Sequence, residues 1–547
     1  MRDVRRGGRP LGIVLAAAMA VSLAACGGGN AGRAGRAGQE GATASPTSSP
    51  GKADWIPGYV AKLSTEQKVG QLFVPTVGSA AQGRAMIRDY HVGGVIYFPQ
   101  NLRTPRSTAE LSNALQKASR IPLTIGVDEE QGIVSRTPFV TRFPGNMTLG
   151  ASGRTADAQA AAQATGAELR AVGVNQNYAP DADVNVDPAN PVIGIRSFGA
   201  DPQLVARMTR AAVAGYQQAG VAATAKHFPG HGDTGTDSHT GLPVITHSMA
   251  TWERLDAPPF KTAGADAVMS AHIVVPKLDG SGDPSTLSKN VLTGLLRGRL
   301  GFQGVIITDS LQMDGVRQKY SDRVVPVRAV NAGADQLLMP PSLPVAYRAV
   351  LAAAKSGKIP RARLDDAVTR ILRLKERRGL FRATHVDPAK AAAQVDTPQH
   401  HAVARSVAEH GVTVVRNTGN VLPLKGRKVY VTGAKSTQVA AALRAAGVRT
   451  AGSLGSADVA LLTTLNKGAA GTAASARALA SKPTVVAALG SPYDLDQATR
   501  AKSLVATYSS TAPAITALAR ILAGKVKPTA KLPVPVAGKP IGTGVTY

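Results

Sequence analysis

Val221-Ala222-Ala223-Thr224-Ala225 is a run of small, mainly apolar residues. It leads straight into Lys226-His227-Phe228-Pro229-Gly230-His231-Gly232-Asp233-Thr234-Gly235-Thr236-Asp237-Ser238-His239. The first run reads as a buried strand. The second packs three histidines, two aspartates, a lysine and three glycines into fourteen residues. A strand that ends in polar groups and passes into a glycine-rich loop is how a rigid scaffold presents chemistry. Gly230, Gly232 and Gly235 give that loop room to bend.

The same pattern recurs along the chain. Apolar runs at Gln71–Val77, Gly93–Phe98, Pro122–Val127, Val174–Ala179, Val221–Ala225, Ala267–Ala271, Gly304–Thr308 and Gln336–Met339 read as strands. Helical stretches such as Ser107–Ser119, Ala156–Ala171 and Pro202–Ala219 separate them. Repeated βα units imply a parallel sheet with helices outside. Eight of them predict an α/β fold, a (β/α)8 TIM-like barrel; an open doubly wound sheet has the same periodicity. A barrel requires polar residues at the C-terminal strand ends to form one site. Asp128-Glu129-Glu130, Asp181 and Asp183, His272, and Asp309-Ser310 all follow strands in this way. Any one of these aspartates could instead cap the next helix.

Three readings fit the histidine-rich loop. Its polar residues can satisfy their own backbone. His227, His231, His239, Asp233 and Asp237 can ligate a metal, although their spacing matches neither a helical His-x-x-x-His face nor a zinc ribbon. Or Asp237 and His239, two apart, can work as an acid–base pair, with the carboxylate orienting the imidazole.

Lys226-His227-Phe228-Pro229-Gly230-His231-Gly232-Asp233 followed by Asp237-Ser238-His239 resembles the signature of family 3 glycoside hydrolases, in the bacterial β-N-acetylglucosaminidase branch. That branch uses an Asp–His pair as acid/base in place of a remote glutamate. Gly301–Asp314, Gly-Phe-Gln-Gly-Val-Ile-Ile-Thr-Asp-Ser-Leu-Gln-Met-Asp, resembles the family's nucleophile segment and implies that Asp309 is the nucleophile. The resemblance also implies sugar-binding roles for Asp128, Arg136, Arg196, Lys226 and His227. Charged groups suit that work, since their hydrogen bonds to hydroxyls are strong. One departure stands out: where the family has Asp-x-Glu-Gly-Gly-Arg-Val, this chain has Asp128-Glu129-Glu130-Gln131-Gly132-Ile133-Val134. Gln131 for glycine and Ile133 for arginine predict a different loop backbone there.

The activity so implied is retaining hydrolysis of terminal β-linked N-acetylglucosamine, without cofactor or metal. Two alternatives remain open. A neutral imidazole base would not repel phosphate, which would make the protein a phosphorylase. A catalytically inactive wall-binding lipoprotein could also use the scaffold.

The two ends of the chain carry different information. Arg2, Arg5, Arg6 and Arg9 precede a short apolar stretch, Leu11–Leu23, and then Leu23-Ala24-Ala25-Cys26. Residues 1–25 read as an export signal of lipoprotein type. Cys26, the only cysteine, stands where lipid attachment would need it, which implies anchoring to the outer face of the membrane. No intramolecular disulfide is possible. Residues 26–53, rich in Gly, Ala, Ser, Thr and Pro, read as a flexible tether. The barrel is expected over 54–385, with Arg382–Pro398 a linker, and a smaller α/β sandwich over 386–547. Strands are expected in that sandwich at Val429–Val431, Val459–Leu462, Thr484–Leu489 and Leu504–Thr507. The whole chain carries a formal charge of +28, and beyond residue 400 its acids are only Glu409, Asp458, Asp494 and Asp496. Such a balance favours anionic partners, here wall polymers. Nucleic acid is not expected, because no binding motif or dense basic run accompanies the charge.

Overall fold

The structure is a computed structural model that describes residues 54–547. The expected signal peptide, Cys26 and the tether lie outside the described residues. Among the described residues, no helix is long and apolar enough to cross a membrane.

All eight expected barrel strands are present: β1 Phe73–Val74, β2 Gly94–Ile96, β3 Thr124–Val127, β4 Gln176–Asn177, β5 Ala222–Phe228, β6 Ala267–Ser270, β7 Val305–Thr308 and β8 Leu337–Leu338. β2 to β7 pair in sequence order, all parallel. β1 pairs with β8. Single bridges, Thr76 with Ile96 and Ile307 with Gln336, join β1 to β2 and β7 to β8. The circle is therefore closed, and the open-sheet alternative is excluded.

Residue type explains the strands. Val305-Ile306-Ile307 is β-branched throughout and fully buried, as a strand covered on both faces must be. Val74, Ile96, Tyr178, Met269, Ile307 and Leu338 meet in one apolar cluster inside the barrel. Outside it, helices Thr155–Ala171 and Pro202–Gln218 approach closely on small residues. A Cβ on Gly215 would lie 2.3 Å from the Gln159 carbonyl oxygen, so only glycine permits that contact. Ser64 and Gln67 form the expected capping box, each side chain accepting from the other's backbone N–H at 3.2 and 3.0 Å.

Two local expectations change. β5 does not stop at Ala225 but runs to Phe228, so Lys226 and His227 are buried strand residues and not loop residues. Their polar groups are matched by acids on neighbouring strand ends, which makes their burial tolerable. The segment 382–398 is also more than a linker. It holds a short helix, Pro388–Ala391, and Val386 accepts from and donates to the Asn113 side chain on the barrel.

Helix Pro398–Gly411 leads into a second sheet of order β11-β10-β12-β13-β14-β9. Its strands are β9 Thr413–Asn417, β10 Lys428–Gly433, β11 Arg449–Ala451, β12 Val459–Thr464, β13 Thr484–Ala488 and β14 Ser503–Ala506. Only β9 runs antiparallel. Four of these were expected. β9 and β11 lie outside the expected strands, and β11 is a short, partly exposed edge strand with no apolar run. The second domain docks on the barrel through Thr148 Oγ1, which donates to the Thr507 carbonyl at 3.0 Å, and Ala200 N–H, which donates to Pro533 at 2.9 Å.

Candidate active site

Over the C-terminal strand ends lies a cavity of about 400 Å³. Asp128, Arg136, Arg196, Lys226, His227, His239 and Asp309 all line it. The structure thus brings together every residue singled out above for substrate or catalysis, save Asp237, which stands directly behind His239.

Asp309 follows β7 at the mouth. Its backbone N–H donates to the Ser270 carbonyl at 3.1 Å, and its Oδ1 accepts from the Ser310 N–H at 2.7 Å. Burial works against its charge. The imidazoles of His227 and His272, the Ser310 N–H and the Lys226 ammonium outweigh it and hold the carboxyl below its usual range. A carboxylate kept ionised at the head of an apolar strand is fit to act as a nucleophile.

His239 sits on the loop after β5, with its side chain 61% exposed. Its Nδ1–H donates to Asp237 Oδ1 at 2.7 Å, and its backbone N–H donates to the same oxygen at 2.9 Å. Nε2 is thereby left as the nitrogen that can exchange a proton. Partial burial favours protonation of Asp237, but both hydrogen bonds from His239 and its charge prevail, and the carboxyl lies below its usual range. Ser238, between the two, is buried and meets His231 Nε2 at 2.9 Å. Burial pushes the His231 imidazole down to about 4, so it stays neutral.

The rest of the lining includes a charged network. Lys226 Nζ lies 2.7 Å from Asp128 Oδ1 and 2.7 Å from Glu130 Oε1. Arg196 grips Glu130 with two N–H groups at 2.9 Å each. Burial favours the neutral Glu130, but the guanidinium and the ammonium hold its carboxyl far below its usual range. Glu130 lines the cavity too, and sequence reasoning did not assign it a role. Its strand-end position beside Asp128 was the available signal. Arg136, by contrast, is exposed and makes no ion pair among the described residues.

His227 is held from behind. Its Nδ1–H donates to Asp183 Oδ2 at 2.7 Å, and its Nε2 faces the cavity wall, accepting from the Arg196 guanidinium at 3.5 Å. Asp181, Asp183 and His227 lie close enough together to bracket an ion. However, Asp183 Oδ1 already accepts from His227 and His231 N–H groups at 3.1 and 2.7 Å, and the Arg196 guanidinium stands 3.8 Å from Asp181. Among the described residues Asp181 Oδ2 accepts no hydrogen bond, and burial together with the Asp183 charge pushes that carboxyl well above its usual range.

The Gln131 departure has a clear structural outcome. Gln131 takes a left-handed conformation (φ 68°) and is buried. Its amide accepts from Phe143 N–H at 3.0 Å and donates to the Thr141 carbonyl at 3.2 Å. A side chain here fills a space and locks the turn, while Ile133 at its tip is 64% exposed. The Arg196 loop is braced from the second domain: a Cβ on Gly199 would lie 2.6 Å from the Pro533 carbonyl, and Ile195 packs on that domain's core.

A closed parallel barrel with a carboxylate, an imidazole and a wall of paired charges around one cavity is the outline of a sugar-cleaving enzyme. Residues 64–374 match the N-terminal domain of glycosyl hydrolase family 3. The chain belongs to that family. A β-hexosaminidase A of Pseudoalteromonas piscicida is 37% identical over 373 residues, which is 62% of this chain and 62% of that one. The chain therefore spans under two thirds of that relative. A β-hexosaminidase of Mycobacterium tuberculosis is 32% identical over 67% of this chain and 97% of its own. A family 3 β-N-acetylglucosaminidase of Paenibacillus superposes with a TM-score of 0.80 at 37% identity, over 86% of this chain and 99% of that one. The family and branch expected from the sequence are thus borne out.

Proposed function

We propose that the protein is a retaining β-N-acetylglucosaminidase. The observation that carries this reading is that Asp309 and His239 line the same cavity, with the imidazole oriented by Asp237. In the first step an Asp309 oxygen attacks the anomeric carbon. The bond to the leaving oxygen breaks, and the His239 imidazolium gives that oxygen a proton. In the second step neutral His239 takes a proton from water, water oxygen bonds to the anomeric carbon, and Asp309 leaves as carboxylate. Asp128, Arg136, Arg196, Lys226 and His227 hold the sugar hydroxyls.

The test is hydrolysis of a chromogenic N-acetyl-β-D-glucosaminide by the wild type, Asp309→Asn and His239→Ala. Asp309→Asn should lose about three orders of magnitude or more in turnover. Wild-type turnover by Asp309→Asn would rule the reading out, as would an inert wild type, which the non-catalytic alternative requires.

Phosphorolysis is the second reading. An exposed imidazole and the unpaired Arg136 on one cavity would admit an anion. Release of the sugar 1-phosphate when phosphate is supplied, at the expense of free sugar, distinguishes it.

For location, the leader and Cys26 support export and lipid anchoring, with wall fragments as the source of substrate. Cys26→Ser should release the protein from the membrane fraction, and an unchanged distribution would refute the anchor. Residues 401–547 carry 18 Lys and Arg against four Asp and Glu, a net of 18 − 4 = +14. That surface suits an anionic wall polymer, and binding that persists undiminished in high salt would count against it.

A further inference from the structure

Nucleophile and acid/base come from different strands, β7 and β5, so something must fix their separation. The tip of the β5 loop rests on the short helix that follows the nucleophile. Gly315 N–H donates to the Ser238 carbonyl at 3.2 Å. Ser238 directly precedes His239. A Cβ on Gly315 would lie 2.9 Å from the Gly241 carbonyl oxygen, 3.0 Å from that of Ser238 and 3.1 Å from His272 Cβ. The loop, the helix and the strand end after β6 therefore meet on a residue without a side chain.

The other side of this junction leads to Asp309. His272 is buried, and its Nε2–H donates to the Ser310 carbonyl at 2.9 Å. Ser310 N–H in turn donates to Asp309 Oδ1 at 2.7 Å. A continuous set of contacts thus runs from His239 through Ser238, Gly315, His272 and Ser310 to Asp309. Gly315 lies inside the helical turn Asp314–Arg317, where alanine suits the backbone better than glycine does. What requires glycine at this position is the close approach of the loop.

We propose that Gly315 is a positioning residue: it seats the His239 loop against the nucleophile segment and sets the distance between the proton donor and the attacking carboxylate. This inference rests on the roles given above to Asp309 and His239.

The experiment compares wild type, Gly315→Ala and His239→Ala on two N-acetylglucosaminides, one with a dinitrophenyl leaving group and one with a sugar leaving group. Azide is then added. Azide attacks the anomeric carbon of the glycosyl–Asp309 ester, forming a C–N bond as the C–O bond breaks. The carboxylate leaves, and no proton has to be removed. Gly315→Ala should lose about tenfold to a hundredfold on the sugar leaving group and much less on the dinitrophenyl one. Its dinitrophenyl turnover should rise with azide, yielding the glycosyl azide, as that of His239→Ala does.

An unchanged ratio between the two substrates overturns the proposal. So does a loss that azide does not restore in Gly315→Ala while it restores His239→Ala, since that pattern marks general structural damage. If His239→Ala is itself unimpaired, the acid/base assignment fails, and not only the seat. Should Gly315→Ala not fold, one glycine inserted after Gly241 lifts the tip from the loop side. It must give the same azide-responsive loss, and wild-type behaviour of the insertion would equally refute the seat.

Discussion

Lys226 Nζ stands 2.7 Å from Glu130 Oε1, and both side chains are almost wholly buried. Arg196 holds the same carboxylate with two further bonds, so one acid neutralises part of two buried cations. Removing one partner of a buried pair leaves uncompensated charge. Glu130→Ala should therefore cost about 3–5 kcal/mol of stability. Urea unfolding measures it, and a loss under about 1 kcal/mol would show that water or Asp128 already meets the need.

His239 is exposed and Asp237 only partly buried, so the worth of their pair to the fold is small. Asp237→Asn should change stability by less than about 1 kcal/mol. Its kcat/KM on substrates with sugar leaving groups should nevertheless fall by roughly a hundredfold or more. Equal losses for sugar and dinitrophenyl leaving groups would remove Asp237 from the proton-transfer step.

The stem of the same loop is clamped by His247. Its Nδ1 meets Asp256 and its Nε2 meets Asp233, each at 2.7 Å. The Asp256 hydrogen bond raises the imidazole to about 9, with Asp233 adding to the effect. A histidine raised from about 6.5 lends stability that is whole below that pH and is lost as pH climbs through about 9. Melting curves of wild type and His247→Asn should therefore converge between pH 7 and 10. A gap that stays constant across this range contradicts the ion-pair account.

Arg136 lines the cavity yet supports nothing else. Arg136→Ala should raise KM while leaving stability within about 0.5 kcal/mol. Arg196→Ala should harm both, because Arg196 is also the partner of buried Glu130. A lowered melting point for Arg136→Ala would give it a structural role instead.

Much of the site was legible because its groups are local. Asp237 and His239 are two apart, and a short loop lets the carboxylate accept from both nitrogen donors of the same residue. Asp309 follows a strand that opens with the apolar run Val305-Ile306-Ile307, so its place at the mouth follows from periodicity. Glu130 and Asp183 escaped assignment. Each looked like one more strand-end acid, and their partners Arg196 and His227 lie 66 and 44 positions away.

By itself the sequence determined the eight strands, the second α/β sheet in outline, and the residue types over the barrel mouth. Strand and helix periodicity is written within a few residues, and it survives any tertiary context that buries the apolar face. Only the tertiary structure decided that β5 carries Lys226 and His227 into the interior. It also decided that Gln131 locks its turn from beneath, and that the His239 loop comes to rest on Gly315. Those outcomes depend on which charges and carbonyls arrive from distant segments, and the cost of leaving a buried polar group unpaired is settled only when they arrive.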